Sequence, residues 1–340
     1  MGISLSGVGK VSGFVFIGSD SNIFGGVDPD RVTHPLGYVG TGGVLNISVG
    51  IDPGSPNAAS MVIPTKNVIQ VFNGLAATTG NLGSLGTTQV DFESVLLHEM
   101  GHSLGLGHVN LASESGLVEP NRNFTKALVG VDGVLGLDDG VDNIIGSADD
   151  VRGDDVNLNW FKITDNDPFG VTLPGTIDST TYSRDLGDLP GGDLFSANGD
   201  RQVGGALGYV DTEVVMQQGT FSDETQRTLG ADDVAGIRYG MSGLDEIQGT
   251  ADDYTINLSF AGFDAGADIV IDFDNVADFA ASGSSLGQFI DTPTHLVIAS
   301  TSISFNTGYD WYFNADLIPE PGRALLGLIG LFGVFLRRRR

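Results

Sequence analysis

The sequence predicts an α+β fold built on a mixed sheet, and three observations carry that prediction. The stretch "VLNISVGI" at 44–51 alternates apolar and polar residues, as a half-buried strand does. Residues 65–79, 91–104 and 228–241 carry apolar side chains at helical spacing. Residues 243–317 contain three further strand candidates, "YTINLSF", "ADIVIDF" and "HLVIASTSISF". We therefore expect a mixed sheet, a helix across the middle of a domain and a short closing helix.

The first strand and the first helix are identified by their apolar faces. One face of the strand carries Leu45, Ile47, Val49 and Ile51. The helix at 65–79 has apolar residues at helical spacing, namely Val68, Val71, Phe72 and Leu75. Thr65 or Asn67 is a suitable N-cap, and the Gly- and Thr-rich stretch that follows ends the helix.

The second and third helices have recognisable ends. In "DFESVLLHEMGHSL" a broad apolar arc suits a helix that crosses the domain, with Asp91 as its cap. Gly105 is where this helix should stop, because glycine adopts the left-handed conformation without steric penalty. The third helix has Asp232 and Asp233 in its first turn and Arg238 near its end, which complements the helix dipole.

Composition restricts the partners and the metal ligands. The chain has 340 residues, 43 acidic and 16 basic side chains and a formal charge of −27. Such a surface repels phosphate backbones and suits divalent cations, so nucleic acid is excluded as an expected partner. No cysteine occurs, so any metal must be held by nitrogen and oxygen. Glycine occupies 51 positions, which predicts many turns and long ordered loops.

The stretch "HEMGHSLGLGH" at 98–108 contains three of the chain's five histidines. His98 and His102 are four residues apart on the predicted helix, so their rings project from one face and can reach the same ion. The glycines that follow allow the chain to reverse and bring His108 back. Three neutral imidazoles with a fourth position open to water describe a catalytic zinc site. The alternative is a buried helix with incidental histidines.

The neighbouring Glu99 lies about a quarter turn from the first two histidines. It can touch a water on the ion without ligating the ion itself. The other two histidines, His34 and His295, have no metal-ligand spacing around them. We expect both to be structural or surface residues.

The spacing HExxHxxGxxH resembles the signature of the metzincin metalloproteases, and "VDFESVLLHEMGHSLGLGH" is most similar to their matrixin branch. The resemblance implies that His98, His102 and His108 bind zinc and that Glu99 is the general base. It also implies a methionine-containing turn beneath the zinc, for which Met216 in "TEVVMQQGT" is the candidate. The alternative for Met216 is an ordinary core methionine. The stretch "LGADDVAGIRYGM" is similar to the C-terminal helix that follows this turn in matrixins.

An acidic motif occurs twice, as "GVDNIIGSADD" at 140–150 and "GLDEIQGTADD" at 243–253. The copies agree at seven of eleven positions, including every aspartate, and these candidate calcium ligands are Asp142, Asp149, Asp150, Asp245, Asp252 and Asp253. Aspartates at turn positions can converge on Ca²⁺, which takes six to eight oxygen ligands in irregular loops. Solvated Asp-Gly turns without an ion are the alternative, and both remain open.

The C-terminus combines Pro-Glu-Pro at 319–321, an apolar run at 324–336 and four terminal arginines. The run is short for a permanent span, so we expect a transient membrane anchor. This tail resembles the PEP-CTERM sorting signal, which implies exosortase processing and display at the surface or matrix of a Gram-negative bacterium; a plain anchor is the alternative. The N-terminus shows no secretory signal, so a truncated or misassigned start is our hypothesis.

These observations divide the chain into three predicted parts. Residues 1–241 form a metzincin-like catalytic domain with an Asp/Gly-rich insert at about 110–211, residues 242–317 a small β-rich module, and residues 318–340 the sorting signal. The boundary is placed near Met241. We expect a secreted zinc endopeptidase that acts on protein or peptide substrates. The alternative is a calcium-binding surface or biofilm matrix protein that keeps the scaffold without cleaving.

Overall fold

The computed structural model describes residues 11–19, 30–109, 137–138, 151–152, 160–166, 169–170, 173, 175–185, 188, 201–206, 208–217, 221–274, 280–291 and 293–318. Over these residues the protein is a mixed α/β structure with few helices and several sheets, which is compatible with the predicted α+β class. The helices are α1 (Ala58–Gly74), α2 (Phe92–Ser103), α3 (Arg201–Ala206) and α4 (Ala231–Gly240). The first eight strands are β1 (Val11–Phe16), β2 (Val32–His34), β3 (Gly43–Ile51), β4 (Leu82–Ser84), β5 (Val90–Asp91), β6 (Leu106–Gly107), β7 (Leu137–Asp138) and β8 (Val151–Arg152). The other strands are β9 (Trp160–Asn166), β10 (Tyr182–Ser183), β11 (Glu224–Gln226), β12 (Tyr254–Phe263), β13 (Ile269–Phe273), β14 (Ala281–Phe289), β15 (His295–Phe305) and β16 (Trp311–Tyr312).

The central element is a six-stranded sheet in the order β12-β3-β13-β15-β14, with β2 pairing to β15. All of its pairings are parallel except that of β14 with β15, which is antiparallel. As predicted, β3 buries Ile47, Val49 and Ile51 on one face, and these residues share a core with apolar residues of α1 and α2. Helix α2 therefore packs against one face of this sheet.

The strand pairing corrects the predicted division of the chain. β3 lies between β12 and β13, and β2 pairs with β15, so the described partners of both early strands come from residue 254 onward. The boundary predicted near Met241 therefore does not separate a catalytic domain from a β-rich module. Local sequence patterns identified β3, β12, β13 and β15 as strands, though not β2, but such patterns carry no information on which distant strand each one pairs with.

A second sheet, in the order β10-β9-β1-β6, places the N-terminal strand beside the segment that follows α2. Val15 pairs with Gly107 and Phe16 pairs with Leu106. Phe14 and Phe16 also pack against an aromatic cluster whose other members are Trp160, Tyr182 and Tyr239. Part of the predicted insert is thus ordered by pairing with β1 and by packing against α4.

The ends of α2 and α4 agree with the predictions from the sequence, whereas the start of α1 differs. Asp91 caps α2 by accepting a hydrogen bond from the backbone N–H of Ser94, and α4 has the predicted acidic first turn. The prediction for α1 was wrong at its start, because the helix begins at Ala58 and continues through Pro64. Thr65 is not its cap, since its hydroxyl donates to the Met61 carbonyl one turn earlier.

The last described residues form a strap across the helices. β16 pairs in parallel with β5, and the backbone N–H of Ile318 then donates to the Asn67 side chain at 2.8 Å. Asn67 and Asn314 both donate to the carboxylate of Glu93 on α2, at 2.9 and 2.8 Å. Asn67, proposed above as a helix cap, is therefore part of this tertiary contact. Burial raises the pKa of Glu93, which the amide donors partly offset.

Within the described part of the chain, no helix has the length and apolar character needed to cross a membrane. The predicted anchor at 324–336 and the Pro-Glu-Pro stretch lie outside the described residues. The first acidic motif at 140–150 lies outside them as well.

His34 and His295, expected to be structural or surface residues, are both buried and in contact with each other. The Nε2 atom of His34 lies 2.9 Å from Nδ1 of His295, and the rings are stacked. The Nδ1 atom of His34 lies 3.2 Å from the Tyr254 hydroxyl, and His295 faces Glu246 at 3.4 Å. Burial and the neighbouring His295 lower the pKa of His34 to about 3.

Because His34 is buried in its neutral form, we expect the folded protein to lose stability in acid. The pKa of His34 is about 6.5 in the unfolded chain and about 3 in the folded one, so its contribution to stability is complete above pH 6.5 and is lost as the pH falls toward 3. We expect the free energy of unfolding to fall by about 2 kcal/mol between pH 7 and pH 5 from this group. Urea unfolding of the metal-free protein at both pH values measures this fall in the free energy of unfolding. The variant H34Q should show a smaller fall, because a glutamine side chain is not protonated in this pH range. An equal loss in H34Q would contradict the assignment.

Candidate metal centre

The three histidines of the 98–108 window converge on one point. The Nε2 atom of His98 lies 3.1 Å from that of His102 and 3.0 Å from that of His108, and the latter two are 3.1 Å apart. Ligand nitrogens bound to one ion at about 2.0–2.1 Å have separations near these. Among the described residues this is the one group of three or more His, Asp or Glu side chains close enough to hold a metal. The cluster could bind a metal.

The chain between the second and third histidine is shaped by two glycines. Helix α2 ends at Ser103, and Gly105 has a φ of 107°, in the left-handed region. A Cβ at Gly105 would lie 2.4 Å from the carbonyl oxygen of Thr33, and one at Gly107 would lie 3.1 Å from the backbone of Phe16. Both glycines are needed because β1 and β2 approach the backbone closely as it returns His108 to the helix.

Backbone carbonyls orient two of the rings. Nδ1 of His98 donates to the Val215 carbonyl at 2.7 Å, and Nδ1 of His102 donates to the Leu106 carbonyl at 2.8 Å. These bonds place the proton on Nδ1 and leave the Nε2 lone pair directed at the shared point. Burial lowers the pKa of all three rings, to about 3 for His102, where the neighbouring His98 adds to the shift. The histidines are therefore neutral near pH 7, as metal ligands must be.

Met216 packs against α2 between the first two histidines of this cluster. It is 2% exposed, and a Cβ at Gly101, between the two helical ligands, would lie 2.3 Å from its sulfur. The segment that follows His108 is tied to Met216, because the backbone N–H of Val109 donates to the Met216 carbonyl at 3.3 Å. The carboxylate of Asp233 accepts the backbone N–H groups of Val215 and Met216 at 2.9 and 3.1 Å. The sequence placed Asp233 in a helix turn but gave no sign of this contact.

Glu99 lies next to the cluster and is 7% exposed. Burial raises the pKa of its carboxyl to about 7, and the backbone N–H of Gly283 in β14 partly opposes the shift. Its Oε2 atom is buried with no hydrogen-bond partner among the described residues. A carboxyl with a pKa near neutrality can both accept and release a proton at pH 7. The position of β14 beside it could not be inferred from the sequence.

The second acidic motif is satisfied by its own loop. The carboxylate of Asp252 accepts the backbone N–H of Leu244 and the hydroxyl of Thr250, and that of Asp253 accepts the N–H of Gly249. Asp245 accepts the N–H of Ile247. Unlike the three histidines, these aspartates do not form a group of three or more side chains close enough together to hold one metal ion. The candidate calcium ligands Asp142, Asp149 and Asp150 lie outside the described residues.

Comparison of this chain with protein-family models, with curated proteins and with solved structures finds no match in any of the three. The site must therefore be interpreted from its own geometry. It offers three neutral imidazole nitrogens to one ion and, beside them, a buried carboxyl that can transfer a proton.

Proposed function

We propose that this protein is a zinc-dependent endopeptidase of the metzincin type. The observation that carries the proposal is the convergence of His98, His102 and His108 with Glu99 beside them. Protein and peptide substrates follow from the same proposal, since a neutral ligand set with an adjacent proton carrier suits hydrolysis of a peptide bond.

The donor set fits zinc. Three imidazole nitrogens with no thiolate suit zinc, and three protein ligands are the number found in catalytic zinc sites, where a fourth position stays open. Zinc bound there would supply Lewis acidity toward water and toward the carbonyl of the substrate. The neutral state of the rings and their fixed tautomers support this assignment.

Glu99 would carry the proton in both directions. Its carboxylate accepts a proton from the attacking water and later donates it to the leaving amine, so it is base and then acid in one cycle. The raised pKa suits both steps, because neither form of the carboxyl is strongly disfavoured near pH 7. Its burial keeps bulk water from competing for that proton.

Two further features support the metzincin resemblance. Met216 lies in a turn that packs against Gly101 of α2, which is consistent with the methionine-containing turn that the resemblance implies, and α4 follows this turn and holds it through Asp233. The tail at 318–340 supports export to the bacterial surface or matrix through an exosortase-type route. The alternative of a non-proteolytic calcium-binding matrix protein has less support, since the described aspartates are satisfied without an ion.

Metal removal tests the proposal. The purified chain is expected to contain one zinc ion and to cleave casein, and phenanthroline is expected to abolish cleavage, because the ligands converge on a single ion. Adding one equivalent of zinc to the apo-protein should restore it. Mass spectrometry of metals and casein cleavage on the same samples measure both quantities. Cleavage that survives complete zinc removal, or a zinc-loaded chain without cleavage, would refute the proposal.

A further inference from the structure

The edge strand β14 lies across α2 at the position of Glu99. Gly283 is its point of closest approach: a Cβ built there would lie 2.9 Å from Oε2 of Glu99 and 3.8 Å from Cβ of His102. A carbon–oxygen contact of 2.9 Å is tighter than real Cβ atoms tolerate. Any side chain at position 283 must therefore displace either the strand or the carboxylate.

The backbone of β14 does not itself require glycine at this position. Gly283 is absent from the residues with positive φ, so an L-residue could adopt its conformation. It pairs with Ile303 within the antiparallel ladder of β14 and β15, like its neighbours on either side. The close contact that a side chain would make at this position therefore comes from what lies opposite it, which is the carboxylate of Glu99.

The strand is held in place by its neighbour β15, which is in turn bound to α2. The Thr301 hydroxyl of β15 lies 3.0 Å from that of Ser103 on α2, and Ser285 of β14 donates to the same Thr301 oxygen at 3.1 Å. These contacts tie β14, β15 and α2 together within two residues of Gly283. The carboxylate has less support, because Oε2 of Glu99 has no hydrogen-bond partner among the described residues.

We propose that Gly283 is a positioning residue for Glu99, and that its missing side chain leaves the space in which the carboxylate carries out proton transfer. Since β14 is fixed by its ladder and by Thr301, a methyl group at position 283 displaces the Glu99 carboxylate rather than the strand. The metal ligands keep their places, because the nearest ligand atom is the Cβ of His102 and not its ring. The inference rests on the proposed function only for its catalytic consequence.

The catalytic consequence is tested with G283A, and G74A serves as the matched control because a Cβ at Gly74 meets nothing within 4 Å. We expect G283A to retain its zinc and to lose about 100-fold in kcat on casein, since a displacement of about 1 Å in a catalytic group has an effect of that size. G74A should match the wild type. A G283A enzyme with wild-type kcat, or one that loses zinc in proportion to activity, would overturn the proposal.

The contact itself is tested in metal-free protein, without any activity measurement. G283A is expected to lower Tm by about 2–4 °C, and E99A should remove most of that loss in the double variant, because it removes the group that the new methyl strikes. Additive effects of the two substitutions would overturn the proposal. If the zinc-loaded wild-type protein does not cleave casein, the proposed function is wrong. The non-additive effect of G283A and E99A on Tm still decides whether Gly283 positions Glu99.

Discussion

A chain that ends at Met241 is expected to be unfolded and to bind zinc no better than an unstructured peptide. It keeps every proposed ligand, Glu99 and Met216, yet it lacks the strands that complete the central sheet. Without β12 and β13, strand β3 has no described partner on either side, and without β15 the same holds for β2. The core would also lose buried apolar side chains, namely Ile269, Ile271, Phe273, Ile303 and Phe305.

The matched control is a chain that ends at Ile318, which keeps the strap on Asn67 and Glu93. It should fold and bind zinc like the full chain. Circular dichroism, cooperative urea unfolding and zinc titration distinguish the two chains. A cooperatively folded, zinc-binding product from residues 1–241 would show that the early segment is an independent domain, contrary to the pairing described here.

The substitution E99Q is expected to lower turnover by on the order of 10³-fold while leaving one zinc ion bound. Glutamine has nearly the same shape and can still accept the backbone N–H of Gly283, but it cannot take a proton from water at neutral pH. The metal site should not change, since Glu99 makes none of the contacts that orient the histidine rings.

The control for this prediction is E93Q, a change of the same kind six positions earlier on α2. Glu93 accepts two amide donors beneath the strap, away from the histidine cluster, so E93Q should lower stability and leave kcat of the folded protein unchanged. Steady-state cleavage and metal content are measured on each variant. Wild-type turnover in E99Q would mean that another group carries the proton, and the assignment of Glu99 would then be wrong.

The convergence of the three histidines could be predicted because it depends on local spacing. Four residues on a helix bring His98 and His102 to one face in any folded context, and the glycines before His108 predict the reversal. The ends of α2 and α4 were predicted for the same reason, since caps and breakers act within a few residues. For α1 the capping pattern at Thr65 was misleading, because Pro64 is accommodated inside a helix that packs on the sheet.

The surroundings of the site could not be predicted, since they depend on contacts between distant segments. Asp233 supports the Met216 turn, and Gly283 faces Glu99 from a strand far along the chain. His34 was expected to be a structural or surface residue, yet it is buried against His295, which is 261 positions away. No local pattern specifies such pairs, and strand order is the feature of this fold that the sequence alone left open.

The order of the strands along the chain also has a kinetic consequence. Ser48 of β3 donates a hydrogen bond to Asp268, which directly precedes β13 and lies 220 positions further along the chain. The central sheet can therefore form only when two segments that are far apart in the sequence meet. Proteins dominated by such non-local contacts fold slowly, over milliseconds to seconds, because the entropy of loop closure must be overcome before the contacts form. Newly made molecules therefore pass through an interval in which apolar strands are exposed to aggregation. The yield of native protein should accordingly rise at low temperature and at low protein concentration.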